Sequence, residues 1–209
     1  MSNKDLTSKL FDDKNNEIID PFDLFLEWYE QAKKTETNDA NALSFASVDE
    51  NGMPDVRILL MNGFDKRGFV VYMNLNSTKG KQLKNNPKAA AVFHWKTLRM
   101  QIRIRGLIEQ VSNEEADKYF SSRPYGSKIG AHASHQSKPL SNRDELLNRT
   151  KEIEKQYPNI VPRPKHWSGY RILPLEIEFW KDGEFRLHDR VVFKRKDLNS
   201  PFTPTRLNP

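Results

Sequence analysis

Three donor-bearing side chains, Arg186, His188 and Arg190, recur at every second position of the segment Arg186-Leu187-His188-Asp189-Arg190. Alternate residues of a β-strand share a face at about 3.4 Å of rise per residue, so these groups would form a row at intervals of roughly 7 Å. Such a row suits an anionic ligand, although an exposed edge strand would carry the same charges merely solvated. Glu178-Phe179-Trp180 precedes it across a turn containing Gly183. A two-residue turn at Asp182-Gly183 pairs Trp180 with Phe185, whereas a three-residue loop with a bulge sets Trp180 across from Arg186. The functional reading takes the bulged form.

Other segments repeat the theme. Asn76-Ser77-Thr78-Lys79 stands where a strand yields to a helix, bringing free backbone N–H groups, hydroxyls and an ammonium to one spot, either as a phosphate site or as an ordinary N-cap beside a surface lysine. Arg57 opens the apolar strand Arg57-Ile58-Leu59-Leu60-Met61, where its guanidinium must reach solvent or meet an anion. Tyr119 to Ser127 places phenol, guanidinium and hydroxyl around a turn, which is a phosphate-like set or a helix C-terminus with Arg123 near its carbonyls. Gln136 and Ser137 follow in a loop with His132 and His135. No carboxylate or third histidine lies at ligand spacing, so no metal is expected. The chain lacks Gly-x-Ser-x-Gly, Gly-x-x-x-x-Gly-Lys and a Gly-x-Gly-x-x-Gly after a strand, which removes the warrant for hydrolase, P-loop and Rossmann readings.

The elements that must hold these groups follow from pattern. Asp20 caps a helix with Pro21 at its first position, and Phe25, Trp28, Tyr29 and Ala32 follow at helical spacing. Strands are predicted at 42–48, 55–62, 69–75, 89–96 and 99–105, with a helix at about 78–86 closed by Pro87. Ser112 with Glu115 opens a helix through Phe120, and Ser141 with Asp144 another through about Tyr157. A last hairpin, 169–180 and 185–194, precedes a Pro-rich tail. Residues 1–19 read as a mobile N-terminal arm and 20–209 as one domain. Many short antiparallel strands with a few helices predict an α+β fold built on a β-barrel.

Composition sets the outer limits. The 209 residues can bury a sizeable core, while 36% hydrophobic and 30% charged residues leave apolar surface for a cofactor or a second subunit. The net charge of +6 favours anionic partners, and the absence of cysteine excludes disulfides and thiolate chemistry. No run approaches the roughly 18 apolar residues of a membrane span, so a soluble cytoplasmic protein is expected.

In order along the chain, Arg57-Ile58-Leu59-Leu60, Tyr119-Phe120-Ser121-Ser122-Arg123-Pro124, Ser127-Lys128-Ile129-Gly130-Ala131, His135-Gln136-Ser137, Trp167-Ser168-Gly169-Tyr170 and Glu178-Phe179-Trp180 through Arg190 resemble the pyridoxamine 5′-phosphate oxidase family. The resemblance runs from about Pro21 to Pro209. It implies a mainly antiparallel split β-barrel, a homodimer and FMN at the subunit interface. It also implies oxidation of pyridoxine or pyridoxamine 5′-phosphate at C4′ by hydride transfer to flavin N5, with O2 reoxidising the flavin to give peroxide and the amine releasing ammonia.

Carried over by matching position, Arg57 and Lys79 hold the FMN phosphate with Gln136 and Ser137 beside it. Ile58, Leu59, Leu60, Tyr72, Met73, Thr78, Gln101, Trp180 and Arg190 complete the cofactor site. Tyr119, Arg123 and Ser127, with Asn62, take the substrate phosphate, and Arg186 and His188 are the catalytic pair against the substrate ring. The chain departs from the family pattern at Asn62, where lysine is usual, at Met73 for threonine and at Thr78 for arginine, and its arm lacks the family's Arg-Glu-Tyr lid. Two lost cations imply affinities weaker by roughly 1.5–3 kcal/mol each if their bonds are not replaced. The competing expectations are a split-barrel FMN protein with another substrate or without turnover, and a nucleic-acid module using Arg99, Arg103 and Arg105. Dispersed basic residues and the absence of an RNA-binding motif weigh against the latter.

Overall fold

The computed structural model describes residues 5–12, 14 and 17–209. Helix α2 (Pro21–Thr35) begins as its sequence dictates: the Asp20 carboxylate accepts from Phe22 N–H at 2.7 Å, and Pro21 has no N–H to satisfy. Its buried stripe of Phe22, Phe25, Trp28 and Ala32 joins the main core. The Phe25 ring centre lies 4.7 Å from those of both Phe64 and Phe69, and Trp28 meets Phe179 edge-on at 5.2 Å.

Eight antiparallel strands follow: β1 (Ala42–Val48), β2 (Pro54–Asp65), β3 (Gly68–Asn74), β4 (Lys88–Trp95), β5 (Met100–Gln110), β6 (Trp167–Lys181), β7 (Asp189–Lys194) and β8 (Thr203–Arg206). Their order is β3-β2-β1-β4-β5-β6-β7-β8, and β3 also pairs with β6, which closes a six-stranded barrel and leaves β7 and β8 as a sheet extension. The length of β6 makes this possible. One edge carries β5 from Tyr170 to Lys181, while the other carries β3 at Trp167–Ile172 and then β7 at Glu176–Lys181. A bulge at Arg105/Gly106 bends the β5–β6 pair between the two regimes. The split-barrel architecture expected from the sequence is therefore present.

Helices α3 (Thr78–Asn85), α4 (Asn113–Ser122), α5 (Tyr125–Ala133) and α6 (Arg143–Gln156) decorate the barrel. Several expectations need correction. Within the arm expected at 1–19, Leu6–Phe11 forms helix α1, held where the Glu27 carboxylate accepts from Leu6 N–H at 2.8 Å and from Thr7 N–H at 3.1 Å. Trp28 Nε1 donates to Thr7 Oγ1 at 2.7 Å. Residues 1–4, 13, 15 and 16 of that arm lie outside the described residues. The cap of α6 is Asn142, not Ser141: Asn142 Oδ1 accepts from Glu145 N–H at 2.9 Å, so the capping box starts one residue later. The Pro-rich tail contains β8, paired with β7.

The final hairpin differs most. Trp180 pairs with Arg190 and Lys181 with Asp189, so neither expected register forms and residues 182–188 are a loop. Glu184–Arg186 make a single 3₁₀ turn in which Phe185 (φ 54°) and Arg186 (φ 65°) are both left-handed. Arg186 and His188 are therefore not on a strand with Arg190, and the row of three donors is absent.

Candidate functional site

Helix α3 sets the first part of the site. Ser77 Oγ caps it by accepting from Gly80 N–H at 3.2 Å, and the first turn carries Lys79 inward, where it is buried. Its Nζ lies 3.3 Å from Gln136 Oε1 and 3.5 Å from Ser77 Oγ, both neutral. Burial and then the Arg57 charge hold the Lys79 pKa below the ordinary lysine value. Arg57 pairs with Asp55 and donates to Ser47 Oγ at 2.6 Å. Two cations thus face one carboxylate, a charge balance that suits an anionic ligand.

Lys79 opens into a cavity of about 360 Å³ that Leu59, Tyr72, Met73, Gln136, Arg123 and Ser127 also line. Arg123 is the C-cap residue of α4, and the intervening Pro124 starts α5 without any side-chain cap for its first N–H groups. The Arg123 guanidinium sits 4.8 Å over Trp167 and 5.6 Å from the Phe120 ring, and its buried Nη1 has no hydrogen-bond partner. An orphaned buried guanidinium N–H is costly, and an anionic oxygen beside Ser127 would satisfy it.

The apolar wall is a stack. Tyr72 lies parallel to Tyr119 at 4.0 Å and to Trp167 at 5.2 Å. Burial, with Glu115 next, pushes the Tyr72 phenol up to about 12, and burial also raises Tyr29, Tyr119 and Tyr170 above the ordinary 10.0. A raised folded-state pKa stabilises fully below the unfolded value and is lost as pH climbs through the folded one. Urea midpoints should accordingly drop between about pH 10 and about pH 12, and the drop should be shallower in Tyr72→Phe.

Gly169 makes the stack possible: a Cβ there would stand 2.8 Å from Tyr72 Cε1. Gly169→Ala should turn the Tyr72 ring, weaken the near-ultraviolet circular dichroism of the stack and cost about 1–3 kcal/mol in urea denaturation. An unchanged aromatic spectrum would contradict that.

A second cluster gathers Gln101, Trp180 and Arg190, neighbours across β5, β6 and β7. The His188 ring packs 4.6 Å from Trp180, and its Nδ1 is 3.2 Å from both Gly183 N–H and Asp182 Oδ1. Arg190 donates Nε at 2.9 Å and Nη2 at 2.7 Å to the buried Glu178, which also accepts from Arg103 at 2.9 Å. Arg186 is exposed on the strained loop.

The two clusters do not meet within one chain. Tyr72 pairs with Gly169 and Gln101 with Trp180, eleven residues further along β6, roughly 35 Å of extended chain. Other expected residues also stand apart. Ile58 and Leu60 point to the outer face with Val56, 64%, 42% and 65% exposed. Asn62 Nδ2 donates to Leu60 O at 2.9 Å and does not line the cavity. Thr78 and Ser137 are exposed, the latter at φ 66°.

Sequence reasoning missed Asp55, Ser47 and Trp167. Asp55 shares a strand face with Arg57 and could have been found by period. Trp167 could not, because only the fold lays it under Arg123. Among the described residues no group of three or more His, Asp or Glu could hold a metal, and no helix is long and apolar enough to cross a membrane.

The family model described as pyridoxamine 5′-phosphate oxidase matches residues 29–157, and that of the pyridoxine 5′-phosphate oxidase C-terminal dimerisation region matches residues 167–209. The pyridoxine/pyridoxamine 5′-phosphate oxidase of Pelagibacter ubique is 52% identical, covering 97% of this chain and 96% of its own. That of Agrobacterium fabrum is 50% identical over all of both chains. Among solved structures, PhzG from Burkholderia lata, in complex with tetrahydrophenazine-1-carboxylic acid, superposes with a TM-score of 0.88 at 29% identity over 95% of this chain and 97% of that one. A pyridoxamine 5′-phosphate oxidase-related, FMN-binding protein of Nostoc punctiforme, 17% identical over 92% and 100%, shares the fold at a TM-score of 0.76.

Proposed function

The chain belongs to the pyridoxamine 5′-phosphate oxidase family, and we propose that its cavity takes FMN and the phosphate of a B6 vitamer side by side. The enzyme is an oxidoreductase of vitamin B6 metabolism: pyridoxine 5′-phosphate and O2 give pyridoxal 5′-phosphate and H2O2, and pyridoxamine 5′-phosphate with water gives ammonia besides. It works as a homodimer.

The observation that carries the site assignment is one cavity holding a buried, unneutralised Lys79 and an Arg123 with an orphaned N–H. Those are two separate demands for anionic oxygen. Lys79 and Arg57, with Gln136, would hold the cofactor phosphate, and Arg123, Tyr119 and Ser127 the substrate phosphate. A flavin held there would supply the two-electron redox chemistry of the oxidation.

The chain's own contribution is orientation. Two phosphate anchors fix the substrate relative to the cofactor, and the partner subunit's Trp180, Arg186, His188 and Arg190 would close the other side. With Nδ1 of His188 occupied by its own loop, Nε2 is the ring nitrogen left to face a ligand.

The test is an absorbance spectrum after incubation with FMN and desalting, followed by pyridoxine 5′-phosphate without oxygen. Retained yellow colour that bleaches supports the assignment; retained colour that does not bleach, or no retained flavin, counts against it.

A further inference from the structure

Arg171, on β6, is the most deeply buried charged side chain of the barrel wall, 2% exposed. Its Nη2 donates to both carboxylate oxygens of Glu115 at 2.8 and 2.9 Å, and its Nη1 to Asp65 Oδ1 at 3.2 Å. An apolar residue of similar volume would usually stabilise such a position as well as a buried ion pair does. What the pair supplies is geometry.

Helix α4 buries two side chains, Ala116 and Phe120, and Arg163, in the segment before β6, holds it through Asp117 at 2.6 Å and Asn113 at 3.1 Å. Two apolar contacts one turn apart do not by themselves fix the rotation of the face that carries Tyr119. Glu115 adds a directional bond, and residues at i, i+4 and i+8 lie along one helix face, so the same face carries Tyr119 and ends at Arg123. On β6 the outward residues Trp167, Gly169 and Arg171 alternate in register with this face. Trp167 underlies Arg123, Gly169 admits Tyr72 against Tyr119, and Arg171 clamps Glu115.

We propose that Arg171 is a positioning residue that acts through Glu115 to place Tyr119 and Arg123 around the substrate's phosphate group; this rests on the oxidase reading above. The coupling has an electrostatic side as well. Glu115 raises and Arg171 lowers the Tyr72 phenol pKa, so loss of Arg171 leaves the carboxylate unbalanced beside the stack.

The experiment compares flavin-loaded wild type with Arg171→Met, Arg171→Lys and Glu115→Gln, measuring equilibrium binding of the unreactive 4-deoxypyridoxine 5′-phosphate and of its unphosphorylated counterpart. Arg171→Met and Glu115→Gln should weaken the phosphorylated probe about tenfold, with unphosphorylated binding and flavin retention unchanged and Arg171→Lys partly restored. In turnover the same variants should raise KM for pyridoxine 5′-phosphate with kcat within about twofold. Wild-type affinity in both variants, or equal loss of both probes and of flavin, would overturn the proposal while leaving the oxidase reading intact. A wild type that binds neither probe would overturn both.

Discussion

Cells co-expressing Arg123→Ala and Arg186→Ala chains should yield an oxidase with about a quarter of wild-type activity, although each variant alone is nearly inactive. The reasoning is topological. Arg123 stands at the Trp167 end of β6 and Arg186 beyond its Lys181 end, so one chain cannot bring them together. In the site proposed above, each homodimer site would take the Arg123 end of one subunit and the Arg186 end of the other. A mixed dimer then has one site carrying both lesions and one carrying neither, and random pairing makes about half of the dimers mixed. Removing either charge-assisted contact costs roughly 1.5–3 kcal/mol, enough to separate the single variants from the mixture in kcat/KM. A mixture no better than the mean of the two variants would show that each site is built within one chain.

Lys79→Met should have opposite effects on the empty and the loaded protein. In the flavin-free chain Lys79 is a buried ammonium held below its ordinary pKa by burial and by Arg57, with Gln136 and Ser77 as neutral neighbours. Methionine matches its length without a charge to desolvate, so the unfolding free energy of the flavin-free protein in urea should rise by on the order of 1 kcal/mol. Flavin affinity should drop by roughly tenfold to a hundredfold, since a charge-assisted bond to phosphate is lost. Fluorescence titration with FMN and with riboflavin separates the causes: FMN binding should weaken and riboflavin binding should not. Equal weakening of both would place Lys79 away from the phosphate.

Much of the fold could be read locally. Asp20-Pro21 announces α2, and the alternation of Met100, Ile102 and Ile104 with Gln101, Arg103 and Arg105 announces β5, because capping and strand period are properties of neighbouring residues. Helix α5 escaped for the complementary reason. Tyr125–Ala133 contains two glycines and buries only Ile129 and Ala133, a periodic signal too short to outweigh its propensity. The 182–188 loop escaped because two non-glycine residues take left-handed backbone there, which side-chain sterics disfavour and tertiary contacts must impose.

The candidate site divides along the same line. The sequence by itself determined which groups are present: an inventory of lysine, arginine, serine and histidine suited to phosphate, and a family pattern that orders them. Only the tertiary structure decided that Lys79, Arg123 and Ser127 share a cavity, that Trp167 and Gly169 shape its wall, and that Trp180 and Arg190 lie at the far end of β6. The physical reason is that residue type and period are short-range quantities, whereas the closure of β3 onto β6 and the direction of a fifteen-residue strand are set by contacts between segments roughly a hundred positions apart in the chain.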